Sequence, residues 1–121
     1  MPVPLKWLVN WKNVVDGNHS LLNELSKDQH MVWSYALYSW YSFLQYDVTL
    51  NRNSIKVPYK IIVGENDLLF PPLHCQTVVE KLGGTNENLL VMEGGHFLPF
   101  NETVVFTEHV AKWFWNTLAK K

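Results

Sequence analysis

Two short stretches of this chain hold the side chains best suited to proton transfer. Asp67 sits in Gly64-Glu65-Asn66-Asp67-Leu68-Leu69-Phe70-Pro71-Pro72, and His96 in Glu93-Gly94-Gly95-His96-Phe97-Leu98-Pro99. An aspartate bonded to the far ring nitrogen of a histidine fixes its tautomer and stabilises the imidazolium that forms when the ring accepts a proton. Such a pair is two thirds of a nucleophile–histidine–acid triad. Each residue also has a plainer reading. Asp67 would also serve as a turn aspartate that satisfies backbone N–H groups ahead of a helix, and His96 as a loop residue without chemistry. Glu65 is the nearest rival carboxylate.

The elements around these loops decide whether the two side chains can meet. Tyr59-Lys60-Ile61-Ile62-Val63-Gly64 is a short β-rich run after Pro58 and suits a strand buried on both faces. Pro71 and Pro72 mark a helix start, because proline's missing N–H costs nothing in the first turn. That helix runs to about Leu82 and stops at Gly83-Gly84. Asn88-Leu89-Leu90-Val91-Met92 reads as a second strand and Gly94-Gly95 as a turn. Asn101 is an expected N-cap for a last helix, with Glu102 in its first turn. The apolar face of that helix would be Phe106, Val110, Trp113, Phe114 and Leu118, and Lys120 and Lys121 would sit at its negative end. Strand–helix–strand–helix with short loops predicts a parallel pair, and functional residues of open parallel sheets lie beyond the C-terminal ends of the strands. Both loops occupy that position, on one edge of the sheet.

Residues 1–50 differ in composition, with Trp7, Trp11, Trp33, Tyr35, Tyr38, Trp40, Tyr41, Phe43 and Tyr46 crowded into them. Leu21, Leu22 and Leu25 suggest a short helix. Ser26 is expected to cap a longer one from Lys27, in which Trp33, Leu37, Trp40 and Leu44 share a face. Asn51-Arg52-Asn53-Ser54 is a polar connector. The organisation expected is therefore a helical, aromatic-rich, cap-like segment at 1–50 and a βαβα unit at 51–121.

The run Val57-Pro58-Tyr59-Lys60-Ile61-Ile62-Val63-Gly64-Glu65-Asn66-Asp67 resembles the acid-bearing strand and loop of the α/β-hydrolase fold superfamily, and Gly94-Gly95-His96 resembles its histidine loop. The stretch between Asp67 and His96 holds one helix and one strand, as in that family. Asp67-Leu68-Leu69-Phe70-Pro71-Pro72 looks most like the acid loop of homoserine O-acetyltransferases and their relatives. The resemblance covers residues 55–118. It implies an α/β fold of which this chain is the C-terminal portion, with Asp67 and His96 as the catalytic acid and base. The family's nucleophile sits in a Gly-x-Ser-x-Gly elbow upstream of both. Ser20, Ser26, Ser34, Ser39, Ser42 and Ser54 all lack the flanking glycines, and Cys75 lies inside an expected helix. The nucleophile is thus expected from a missing or separate N-terminal part, and the partner implied is another polypeptide that completes both the sheet and the nucleophile. A small ester or acyl compound is the implied substrate. The competing expectation is a catalytically inactive, hydrolase-derived structural subunit of a larger complex. A weaker third is an acyl-binding module built on the aromatic helix.

Composition narrows the remaining classes. A net charge of −1 and a single arginine, Arg52, give no field for a phosphate backbone, so nucleic acid is not an expected partner. No metal site is expected, since His19, His30 and His74 show no ligand spacing, His109 reads as a surface or packing residue of the last helix, and there is one thiol. No cofactor is called for. The lone cysteine leans towards a reducing, intracellular compartment. No apolar run of about 18 residues predicts a transmembrane helix. Asn18-His19-Ser20 and Asn101-Glu102-Thr103 match the glycosylation triplet, a pattern that also arises by chance; the second is better explained as a helix start.

Overall fold

The computed structural model of the chain describes residues 1–45 and 55–119, the side chains of Lys6 and Leu44 excepted. The expected connector at 51–54, Tyr46, Lys120 and Lys121 lie outside the described residues. The chain divides into two compact units, Met1–Thr49 and Leu50–Lys121.

The first unit is not wholly helical, contrary to the expectation from its capping residues and apolar spacing. Strand β1 (Pro2–Pro4) is followed by a single 3-10 turn at Leu5–Trp7, and then by helices α1 (Trp11–Val14) and α2 (His19–Lys27). Strand β2 (Ser34–Ala36) pairs antiparallel with β1 and leads directly into helix α3 (Leu37–Gln45). The short helix expected around Leu21 is α2, and Asn18 caps it by accepting from the Leu21 N–H at 3.0 Å. The Asn18 triplet thus has a helix-capping role, which its spacing from Leu21 dictates.

The helix expected from Lys27 does not start there. Lys27 is the last residue of α2, Ser26 Oγ donates back to the Asn23 carbonyl, and Asp28 Oδ1 accepts from the His30 N–H at 2.8 Å. An aspartate that bonds a backbone N–H two residues on makes a turn rather than a helical first turn. Trp33, expected on the face of α3, precedes β2 instead, its carbonyl accepting from Leu5 N–H at 2.8 Å, and its ring meets Trp11 edge-on with centroids 5.4 Å apart. Pairing with β1 overrides the helical spacing across 33–36. Within α3, Trp40 contacts Tyr35 and Phe43 edge-on, and these rings border a cleft of about 400 Å³ with Leu5 and Ser39. Val14, Val15 and Leu21 are the buried apolar residues described in this unit.

The second unit carries the parallel pair expected from the sequence. Strand β3 (Ile61–Gly64) leads into helix α4 (Pro72–Lys81), and strand β4 (Leu89–Met92) into helices α5 (Leu98–Asn101) and α6 (Thr103–Leu118). The register pairs Ile61 with Leu89 and Gly64 with Met92, so both strands end at one level. Pro72 occupies the first turn of α4. Its end is a Schellman motif, with Gly84 N–H on the Val79 carbonyl, Gly83 N–H on that of Glu80, and Gly83 at φ 77°. Val63, Cys75, Val79, Leu82, Met92 and Leu98 are buried around the pair.

The last helix departs from expectation at its start. Pro99 lies in the first turn of α5, which begins at Leu98, so Asn101 falls inside that turn and Glu102 is the residue ahead of α6. Glu102 makes no side-chain cap there. Thr103 Oγ instead donates to the Pro99 and Phe100 carbonyls at 2.8 and 3.2 Å. Phe106, Val110, Trp113 and Thr117 form the half-buried stripe of α6, while Phe114 and Leu118, expected on that face, are exposed. Spacings of 4, 3 and 4 select Thr117 rather than Leu118 for the fourth place. Among the described residues no helix is long and apolar enough to cross a membrane.

Candidate active site

Asp67 and His96 reach each other across the C-terminal edge of the β3–β4 pair. The two loops are joined by their backbones: Glu65 N–H donates to the Met92 carbonyl at 2.8 Å, and Asn66 N–H to that of Gly94 at 3.0 Å. Glycine at position 64 allows this approach. A Cβ there would run into the backbone carbonyl oxygens of Gly94 and Gly95, which have no flexible side chain to yield.

The join brings the carboxylate to the imidazole. Asp67 Oδ2 lies 3.0 Å from His96 Nδ1. The other carboxylate oxygen, Oδ1, accepts the Leu69 and Phe70 N–H groups at 2.8 Å each. One carboxylate oxygen thus makes the turn ahead of α4 and the other faces the histidine. Asp67 is 6% exposed and is the one buried charged residue among those described. A buried carboxylate with both oxygens engaged is held in one orientation.

An ionised carboxylate only accepts hydrogen bonds, so Nδ1 of the neutral ring carries the proton and Nε2 is the nitrogen that can take another. The His96 side chain is 28% exposed against 5% for Asp67, placing the carboxylate behind the ring. Phe70 and Phe97 flank the ring, with centroids 5.6 and 5.4 Å away.

The remaining candidates are placed elsewhere. Glu65 is exposed and accepts from Asn66 Nδ2 at 3.3 Å. His19, His30, His74 and His109 are exposed, and among the described residues no group of three metal-ligating side chains forms. Cys75 is buried in α4, its Sγ donating to the Phe70 carbonyl at 3.6 Å. Burial, and then the neighbouring Asp67 charge, push its thiol up from the ordinary range against a smaller opposing backbone hydrogen bond. A thiol held protonated is a poor nucleophile. Residues 55–119 contain no serine.

Two contributors were not legible as site residues. In the sequence Phe70 carries no side-chain signal beyond its loop motif, although a turn aspartate at 67 implies backbone donors at i+2 and i+3. Gly64 is legible in the sequence only as a strand end. No protein-family model, curated protein or solved structure matches the chain. Fold and chemistry therefore rest on the residues and their geometry.

Proposed function

We propose that this chain is the acid- and histidine-bearing C-terminal part of a serine-nucleophile hydrolase or O-acyltransferase, with the nucleophile supplied from outside these 121 residues. The observation that carries the reading is the 3.0 Å contact between Asp67 Oδ2 and His96 Nδ1, backed by two backbone donors on Oδ1. The mixed helix and strand architecture with a parallel pair supports it, as does the placement of both loops at one sheet edge.

In this reading Asp67 orients His96. Nε2 takes the hydroxyl proton of the serine as its oxygen attacks an ester or thioester carbonyl, and the imidazolium then protonates the leaving group. The acyl-enzyme is resolved when Nε2 draws a proton from water, for hydrolysis, or from an acceptor hydroxyl, for transfer. Asp67 stays ionised throughout and stabilises the charged ring. The test is the intact mass of the natively purified assembly after treatment with a fluorophosphonate. A stoichiometric partner carrying one phosphonylated serine supports the reading; an assembly without a reactive serine refutes it.

A second reading has its own observation. Helix α6 has no buried residue, and Val104, Phe114, Trp115 and Leu118 on it are each more than half exposed. Exposed apolar surface of this kind is characteristic of a subunit covered by neighbours. The chain is then a hydrolase-derived structural component in which Asp67 and His96 persist as a structural hydrogen bond. Fluorophosphonate labelling separates the two readings.

A further inference from the structure

His96 is gripped by two phenylalanines that come from different places. Phe97 is its chain neighbour and meets the ring edge-on at 5.4 Å. Phe70 comes from the acid's loop, its ring 5.6 Å away with the planes 37° apart. Both lie within the 4.5–7 Å range over which aromatic rings attract. Phe97 moves with the histidine backbone. Phe70 does not, and can act as an external stop.

The backbone of Phe70 is fixed independently of its ring. Its N–H donates to Asp67 Oδ1 at 2.8 Å, and its carbonyl receives the Cys75 thiol at 3.6 Å. One residue thus binds the acid through its main chain and meets the base through its side chain. A phenylalanine kept for core packing is buried, yet Phe70 is 53% exposed. Of the two groups that bond Asp67 through Oδ1, the residue with a ring on the imidazole is Phe70. A histidine tethered at one nitrogen retains rotation about χ1 and χ2, and the Phe70 ring 5.6 Å away is a contact that such rotation changes.

From this we infer that Phe70 is a positioning residue, whose ring holds the His96 imidazole in the rotamer that keeps Nδ1 on Asp67. The inference rests on the acid–base reading for its purpose, but its test does not require activity. The full chain is labelled with ¹⁵N-histidine, and the ring tautomer and the exchange lifetime of the Nδ1 proton are measured by NMR. His96→Gln assigns the signal among the five histidines. Phe70→Ala and Phe70→Leu are expected to speed Nδ1 proton exchange by roughly two- to tenfold, the range an aromatic pair contributes. Phe70→Trp is expected to restore slow exchange. Phe70→Leu keeps apolar bulk without a ring, so it carries the test even if the alanine variant fails to fold. A Phe70→Leu chain that exchanges as slowly as the parent overturns the inference, as does a folded Phe70→Trp chain that stays fast. Because no nucleophile enters this measurement, an assembly without a reactive serine refutes the catalytic reading and leaves this one standing.

Discussion

Replacing Asp67 by asparagine keeps the shape of the side chain and reverses its electrostatics at one atom. Oδ1 holds two backbone donors at 2.8 Å, so the amide oxygen is required there and the new NH₂ group is turned towards His96. Nδ1 must then accept, which moves the ring proton to Nε2 and leaves a donor where a base needs an acceptor. Hydrogen bonds to an ionised group contribute about 1.5–3 kcal/mol and neutral ones about 0.5–1.5 kcal/mol. Each of the three bonds at Asp67 therefore loses roughly 1 kcal/mol, or about 3 kcal/mol in all. For a chain of this length that lowers Tm by roughly 10–15 °C. Scanning calorimetry measures the shift, and ring ¹⁵N chemical shifts report the tautomer. In a working triad the same exchange lowers turnover by about 10⁴. A Tm within about 3 °C of the parent, with the proton still on Nδ1, would refute the reasoning, because it requires a carboxylate whose oxygens are not engaged as described.

Three further outcomes follow from neighbouring groups. Gly64→Ala is expected to cost about 1–3 kcal/mol or more in urea unfolding, since its Cβ meets the Gly94 and Gly95 carbonyls and one loop must retreat. The His96 ring contact should weaken with it, and a neutral Gly64→Ala contradicts the close approach. His96→Ala should be milder than Asp67→Ala, because it removes one bond to an ionised group, about 1.5–3 kcal/mol, from a partly exposed ring, whereas loss of the carboxylate removes all three and leaves the Leu69 and Phe70 N–H groups without that acceptor; paired urea titrations decide the order. Cys75, its thiol pushed up, should react with iodoacetamide at pH 8 at least tenfold more slowly in the native chain than in urea. The folded state holds that proton more tightly, so the contribution to stability is complete below the unfolded thiol value, about 8.5, and is lost as pH rises from there through the folded value. Cys75→Ala should remove that part of the alkaline decline in urea midpoint.

The legible part of the molecule was the part whose signals are local. Pro71-Pro72 and Gly83-Gly84 bracket α4 because proline fits the first turn of a helix and not its interior, and glycine takes the left-handed conformation after its end without strain. The apolar runs around Ile61–Gly64 and Leu89–Met92 read as strands for the same reason, and the loops after them carried Asp67 and His96. What the sequence hid depends on partners distant in the chain. A three-residue strand containing two prolines, Pro2 and Pro4, has no β signature of its own, and β2 exists by pairing with it. Ser26 and Asp28 form a plausible helix start that is in fact a helix end, because Asp28 turns its carboxylate to the His30 N–H. Pro99 began α5 ahead of the expected Asn101 cap. At the site, residue types marked Asp67 and His96, and the turn reading of Asp67 implied backbone donors ahead of α4, but the Phe70 ring beside the imidazole depends on how the two loops meet in space.

The central claim is that His96, held by Asp67, is the base for a serine outside these 121 residues. The most direct measurement is the rate of fluorophosphonate labelling of the natively purified assembly, with the chain as the parent or as His96→Ala. The account predicts a labelled serine on a stoichiometric partner with the parent chain, and labelling abolished with the variant while the assembly remains intact. Equal labelling in both, or no reactive serine in either, would contradict it and leave a structural subunit with an inert Asp67–His96 hydrogen bond.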